Sequence, residues 1–251
     1  MISILLRCAP DEEDRLSAEL WEAGTAGITD EPGGLRAFFE DERVVEPLLE
    51  RFGAFSPEWR AEAPTDWEQA TIDAWPPIEV GERFFLVAPW REDPTPAGRL
   101  RLVIQPGMAC GTGRHPCTQL CLEALERYVW PGSRVLDVGT GSGILSEAAK
   151  LLGAGRVIAC DVDFEALQVA RERVRAPFFC GSADAIRSET ADVVVANISS
   201  AVVEELRREL LRVRRDGGVL ILSGFPESDR PAGFEGCEPL RREEWLCLVC
   251  R

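Results

Sequence analysis

A doubly wound α/β sheet with a small α+β body ahead of it is the fold class this 251-residue sequence predicts. Three observations carry that reading. Apolar strand-like runs alternate with helical stretches through five βα-type units after residue 133, the pattern of a mostly parallel sheet. The first unit opens on RVLDVGTGSG (134–143), where Gly139, Gly141 and Gly143 follow a short apolar run and lead into ILSEAAKLLGAG, which reads as strand, sharp turn and helix. Residues 1–58 instead run strand, helix, strand, strand, helix, strand, the order of a ferredoxin-like module.

In chain order, ISILLR (2–7) predicts a strand and DEEDRLSAELWEAG (11–24) a helix with acids in its first turn and Leu16, Leu20 and Trp21 in phase. Two short strands flank the Pro32, Gly33, Gly34 turn, VVEPLLERFG returns to helix despite Pro47, and EWRAEA alternates as a last strand. Residues 59–77, in which prolines bound the helical pattern of 63–77, predict a linker helix, and 78–251 a second domain. RFFLVAPW and RLRLVIQPG read as two strands about the DPTPAG turn. They lead to PGMACGTGRHPCT (106–118), a glycine-rich loop opening onto the helix QLCLEALERY. After the glycine bend come VIACDVD, a helix from DFEALQVARERVR, FFCGSADA, DVVVANISS, the helix VVEELRRELLRVRR, GGVLILSGF and a terminal antiparallel hairpin.

Composition narrows the function classes. An apolar fraction of 45% is ordinary for a globular protein, no apolar run approaches membrane-spanning length, and MISILLRC is too short and too soon followed by acids for a signal peptide. A cytoplasmic monomer is expected. A net charge of −15 disfavours nucleic acid and anionic membrane as partners. Residues 1–58 hold 14 acids against 5 arginines, a solvated acidic face or an attractor of a basic protein. The nine cysteines lie largely in apolar runs and read as reduced, buried thiols, Cys250 included. Cys247 and Cys250 sit three apart on a strand and point to opposite faces, and one histidine leaves little for a zinc site.

The glycine bend admits two nucleotide-type readings. A dinucleotide fingerprint has GxGxxG spacing. Here the spacing is GxGxG with Asp137 two residues ahead, where an acid repels a diphosphate and can meet an amine. That suits S-adenosylmethionine (AdoMet); a turn that binds nothing is the alternative. Asp161 ends a strand some twenty residues on, where an acid can accept both ribose hydroxyls. Ser182, Ala183 and Asp184 are expected to flank the adenine. Thr112 and Thr118 can bond the methionine carboxylate or amine, or Thr118 can cap its helix. His115 is either an imidazole held by loop backbone or a general base. Asn197, the only asparagine, lies where the fourth strand meets the ligand crevice; its carbonyl can hold an acceptor amine, or it is a turn residue.

PGMACGTGRHPCT, VLDVGTGSGILSEAA, CDVD, VVANI and LILSGF, with the preceding VAPW and LVIQPG, together resemble the bacterial ribosomal protein L11 methyltransferases (PrmA). The resemblance spans the second domain nearly end to end and implies a Rossmann-like class I AdoMet-dependent methyltransferase. It implies cofactor contacts at Thr118, Gly139, Asp161 and Asn197, catalysis at Asn197, and a first domain that grips a basic ribosomal protein for N-methylation of α-amine or lysine. Departures are Cys110, Arg114 and Gln105 in the loop, the missing leucine after ANI, and short segments at 168–178 and 224–245. Two other functions fit the pattern: methylation of another protein or a small amine, and AdoMet binding without catalysis.

Overall fold

The structure, a computed structural model, describes residues 1–9, 12–62, 75–104 and 113–251, and the chain divides into compact units Met1–Thr71 and Ile72–Arg251. Residues 63–74 of the expected 59–77 linker helix lie outside the described residues, and 59–61 belong to a strand rather than to that helix. No helix among the described residues is long and apolar enough to cross a membrane.

In the first unit the elements are β1 (Ile2–Arg7), α1 (Glu13–Glu22), β2 (Gly27–Glu31), β3 (Gly34–Phe39), α2 (Val45–Arg51) and β4 (Glu58–Ala61). They form an antiparallel sheet in the order β2-β3-β1-β4. Alternation along β1 sends Ile2, Ile4 and Leu6 to one face, where they meet Leu16, Leu20, Leu35, Phe39, Leu48 and Phe52. Each such fully buried side chain contributes about 1.5–3 kcal/mol. Trp21 departs from the expected apolar stripe: Leu16 and Leu20 are four apart and buried, whereas the next residue turns 100° away and stands exposed. Pro47 is tolerated because it lies in the first helical turn, whose N–H groups have no partner within the helix. The body continues past residue 58 because β4 pairs with β1 from Leu5↔Glu58 to Ile2↔Ala61.

The second unit opens with a small sheet of β5 (Ile78–Val80), β6 (Phe84–Val87) and β7 (Leu100–Val103). Here the expected turn between β6 and β7 is corrected, because the two strands are parallel and the intervening residues must cross back. Arg101 fastens that crossing by donating to the carbonyls of Asp93 and Arg91, each at 2.7 Å.

The main body follows: α3 (Pro116–Tyr128), β8 (Arg134–Val138), α4 (Ile144–Leu151), β9 (Arg156–Asp161), α5 (Phe164–Arg173), β10 (Phe178–Cys180), β11 (Ala191–Asn197), α6 (Ser200–Glu205), α7 (Arg207–Val213), β12 (Arg214–Pro226), β13 (Glu238–Arg242) and β14 (Trp245–Cys250). The strands order as β10-β9-β8-β11-β12-β14-β13, the first five parallel and β14 antiparallel to both neighbours. This is the doubly wound, Rossmann-like sheet. Both faces are covered, so its central strands read as near-continuous apolar runs. Val135, Val193, Val195 and Ile221 pack with α3 and α4 on one face, and Leu136, Val194, Leu220 and Leu222 pack with α6 and α7 on the other. The single expected helix over 202–215 is two short ones, and its last two arginines belong to β12, where Arg214 pairs with Ala191.

Cys237 and Cys250 form a disulfide, which corrects the expectation that Cys250 is a reduced thiol. The register Glu238↔Val249 places the residue before β13 opposite the end of β14, so the two sulfurs meet across the hairpin. The opposite-face reading of Cys247 holds: it packs with the α3 face while Cys250 packs with the other.

Candidate cofactor site

Chain order reverses direction at β8, which has β9 on one side and β11 on the other, and a crevice opens beyond the carboxyl ends of these strands. A cavity of about 660 Å³ fills it, with walls from the glycine bend, the ends of β9 and β11, the start of α3, and Trp245. Gly139, Gly141 and Gly143 all take positive φ, at 71°, 52° and 78°, a region open chiefly to glycine. At Gly139 the approach is also close, since a Cβ would collide with Ile198 Cγ2. The Gly139 and Thr140 amides both donate to the Cys160 carbonyl, at 2.9 and 3.0 Å, and so tie the bend to β9.

Asp161 lines the cavity with both carboxylate oxygens bonded locally. Oδ2 accepts from the Gly141 N–H at 2.9 Å and Oδ1 from the Asp163 N–H at 3.0 Å. Each oxygen keeps a second lone pair for a ligand hydroxyl. Asp137 lies deeper than the sequence suggested. It is fully buried, its Oδ2 accepts from the Thr140 and Ser146 hydroxyls, each at 2.7 Å, and its Oδ1 has no partner among the described residues. Burial, the largest cause, pushes its pKa up to about 6.

Thr118 and Asn197 come together across 79 positions of chain. Asn197 Nδ2 donates to Thr118 Oγ1 at 3.3 Å, both residues line the cavity, and the amide oxygen keeps its accepting capacity. Thr118 is therefore not the cap of α3. His115 takes that place: its Nδ1 accepts from the Cys117 N–H at 3.3 Å. The imidazole stands exposed and packs edge-on against Trp245, with 4.4 Å between ring centroids.

Of the expected adenine neighbours, Ser182 lines the cavity, Ala183 lies in the core against α7, and Asp184 is exposed; Gly181, not among those expected, also lines the cavity. Thr112 falls outside the described residues. Burial also raises the Cys117 and Cys160 thiols, the latter to about 12, so neither is a thiolate nucleophile at neutral pH.

The family model for "Ribosomal protein L11 methyltransferase (PrmA)" matches residues 34–251. The chain belongs to the ribosomal protein L11 methyltransferase family. The enzyme of that name from Deinococcus radiodurans is 38% identical, over 84% of this chain and 80% of its own. Its counterpart in Methylobacillus flagellatus is 33% identical over 99% and 98%. The crystal structure of ribosomal protein L11 methylase from Lactobacillus delbrueckii subsp. bulgaricus superposes with a TM-score of 0.62 at 27% identity, over 69% of this chain and 96% of that one. This family member is an AdoMet-dependent methyltransferase.

The crevice fits the donor on its own terms. An Asp137 oxygen lies buried behind the bend without a partner among the described residues, close packing of Ile198 leaves no room for a side chain at Gly139, and the cavity wall mixes apolar surface with a few fixed polar groups. Sequence reasoning missed Trp245, Val162 and Gly224 in that wall. Gly224 was legible within LILSGF: its φ is 105°, it marks the register shift between Ser223 and Phe225, and a Cβ there would strike the Ile198 backbone.

Proposed function

We propose that this chain N-methylates ribosomal protein L11, on α-amino or lysine amino groups, with AdoMet held by Thr118, Gly139, Gly141, Asp161, Ser182 and Asn197. Asp137 would face the methionine amine, Thr112 would bond the carboxylate or amine of the same moiety, and Ala183 and Asp184 would support the adenine loop from behind. The observation that carries the reading is the Thr118–Asn197 bond: one amide hydrogen is occupied, so the side chain is oriented and its oxygen is left to receive an amine.

When bound, the cofactor supplies an electrophilic methyl on a sulfonium. The residues around it bind, orient and exclude water. An acceptor must arrive neutral, and at pH 7 that costs roughly 1 kcal/mol for an α-amine of pKa about 7.7 and about 4.6 kcal/mol for a lysine of pKa about 10.4. No side chain among the described residues reads as a dedicated base, so the proton leaves to water, helped for lysine by desolvation. Asn197 and the Ile198 carbonyl then fix the nitrogen, and the rate comes mainly from proximity.

The acidic first unit would grip the basic acceptor. Its strand order, with β1 and β3 central and β2 and β4 at the edges, supports the ferredoxin-like reading. Another protein or a small amine is the less supported acceptor class, since the relatives carry the L11 name. Incubation with labelled AdoMet and large-subunit proteins, followed by mass spectrometry of the marked band, separates the two. Label on L11 supports the proposal; label only elsewhere overturns it.

A further inference from the structure

We propose that Arg173 is a positioning residue for the cofactor, clamping the glycine bend from behind so that the bend is shaped before AdoMet arrives. The bend is made of residues with little resistance to rearrangement, since glycine populates both signs of φ. Something outside it must hold the ligand-ready form, and one supersecondary unit does so at both ends. At the near end Asp161, closing β9, accepts from the Gly141 N–H. At the far end Arg173, closing α5, donates from Nε to the Ser142 carbonyl at 2.9 Å. Between them α5 packs so tightly that a Cβ on Gly143 would lie 3.0 Å from Ala170 Cβ.

The same guanidinium reaches further. Its Nη1 donates to the Val103 carbonyl at 2.6 Å and to Glu147 Oε2 at 2.8 Å, with the side chain only 10% exposed. Val103 ends β7, and Glu147 lies in the first turn of α4, directly after the bend. A single side chain thus links β7, the glycine bend and α4. Only a planar fork can do this: an ammonium on a flexible stem keeps the charge but cannot hold two carbonyls and a carboxylate in fixed directions. Arg173 is not part of the crevice wall, so it acts through the bend rather than on the ligand.

The test compares the full-length parent with Arg173→Lys and Glu147→Gln. Binding of AdoMet and of S-adenosylhomocysteine is measured by titration calorimetry, and amide exchange at residues 139–143 is followed in the ligand-free proteins. A clamp that raises the fraction of ligand-ready bend predicts a Kd for both ligands roughly tenfold weaker in Arg173→Lys, and about threefold weaker in Glu147→Gln. Exchange at the bend should be faster, with the melting temperature within a few degrees of the parent. Unchanged Kd and exchange in both variants would overturn the assignment, as would a weakened Kd tracked by an equal loss of global stability. No acceptor enters these measurements, so they stand whichever protein or amine is methylated.

Discussion

Asn197 is held by one bond and left open at the other end of its amide, which separates its two contributions experimentally. Asn197→Ala should lower kcat by roughly a hundredfold, the scale on which misplaced reactants lose rate. The Kd for AdoMet should move only a few-fold; steady-state kinetics beside calorimetry checks the split. Asp137 makes a different prediction. Its folded pKa is about 6 against an ordinary 3.8. The sign follows from burial: below 3.8 the carboxyl is neutral in both states and costs nothing, and the destabilisation accumulates as pH rises through about 6. At full ionisation it amounts to about 3 kcal/mol. Asp137→Asn should therefore gain stability over the parent progressively between pH 4 and pH 7, read from denaturant unfolding at each pH. At this scale much was legible: the three glycines stand in one short stretch, Asp161 ends the next strand, and Asn197 ends its own. Trp245 was not, because nothing local marks it. It reaches the cavity only because β14 runs antiparallel and so begins at the ligand end of the sheet.

Elements were easier to find than to pair. The strands of the main sheet other than β13, which reads EPLRR, announced themselves through apolar runs, and the glycine bend marked where the first turn had to fall. The direction of β7 was misread because a proline- and glycine-rich connection looks alike whether it turns or crosses, and the three Arg101 contacts that fix it, to Asp93, Thr95 and Arg91, are visible only once the chain is folded. The Cys237–Cys250 bond was hidden for the same reason. Spacing gives the separation of 13 residues, but only the register puts the two opposite each other. Closing a loop of that size stabilises a fold by about 3 kcal/mol in the chain-entropy picture. Cys237→Ser should lower the urea midpoint of the second unit accordingly while leaving AdoMet affinity within twofold, since the bond lies at the end of β14 away from Trp245.

For the whole molecule, charge is the property that acts at a distance. The surplus of 14 acids over 5 arginines in residues 1–58 should draw a basic acceptor and leave the donor site untouched. Raising salt toward 1 M shortens the Debye length from about 8 to about 3 Å. The KM for acceptor should then climb severalfold while the KM for AdoMet stays level, and equal sensitivity of both would locate the attraction elsewhere. The main sheet also has two free margins, and each is guarded. β10 is only three residues long, and β13 carries Pro239 with Arg241 engaged by Glu227 and Arg242 by Glu123. A foreign strand seeking the last rung of the ladder would meet a missing donor and charges already spoken for. Those two margins are thus poor templates for a second chain in a crowded solution.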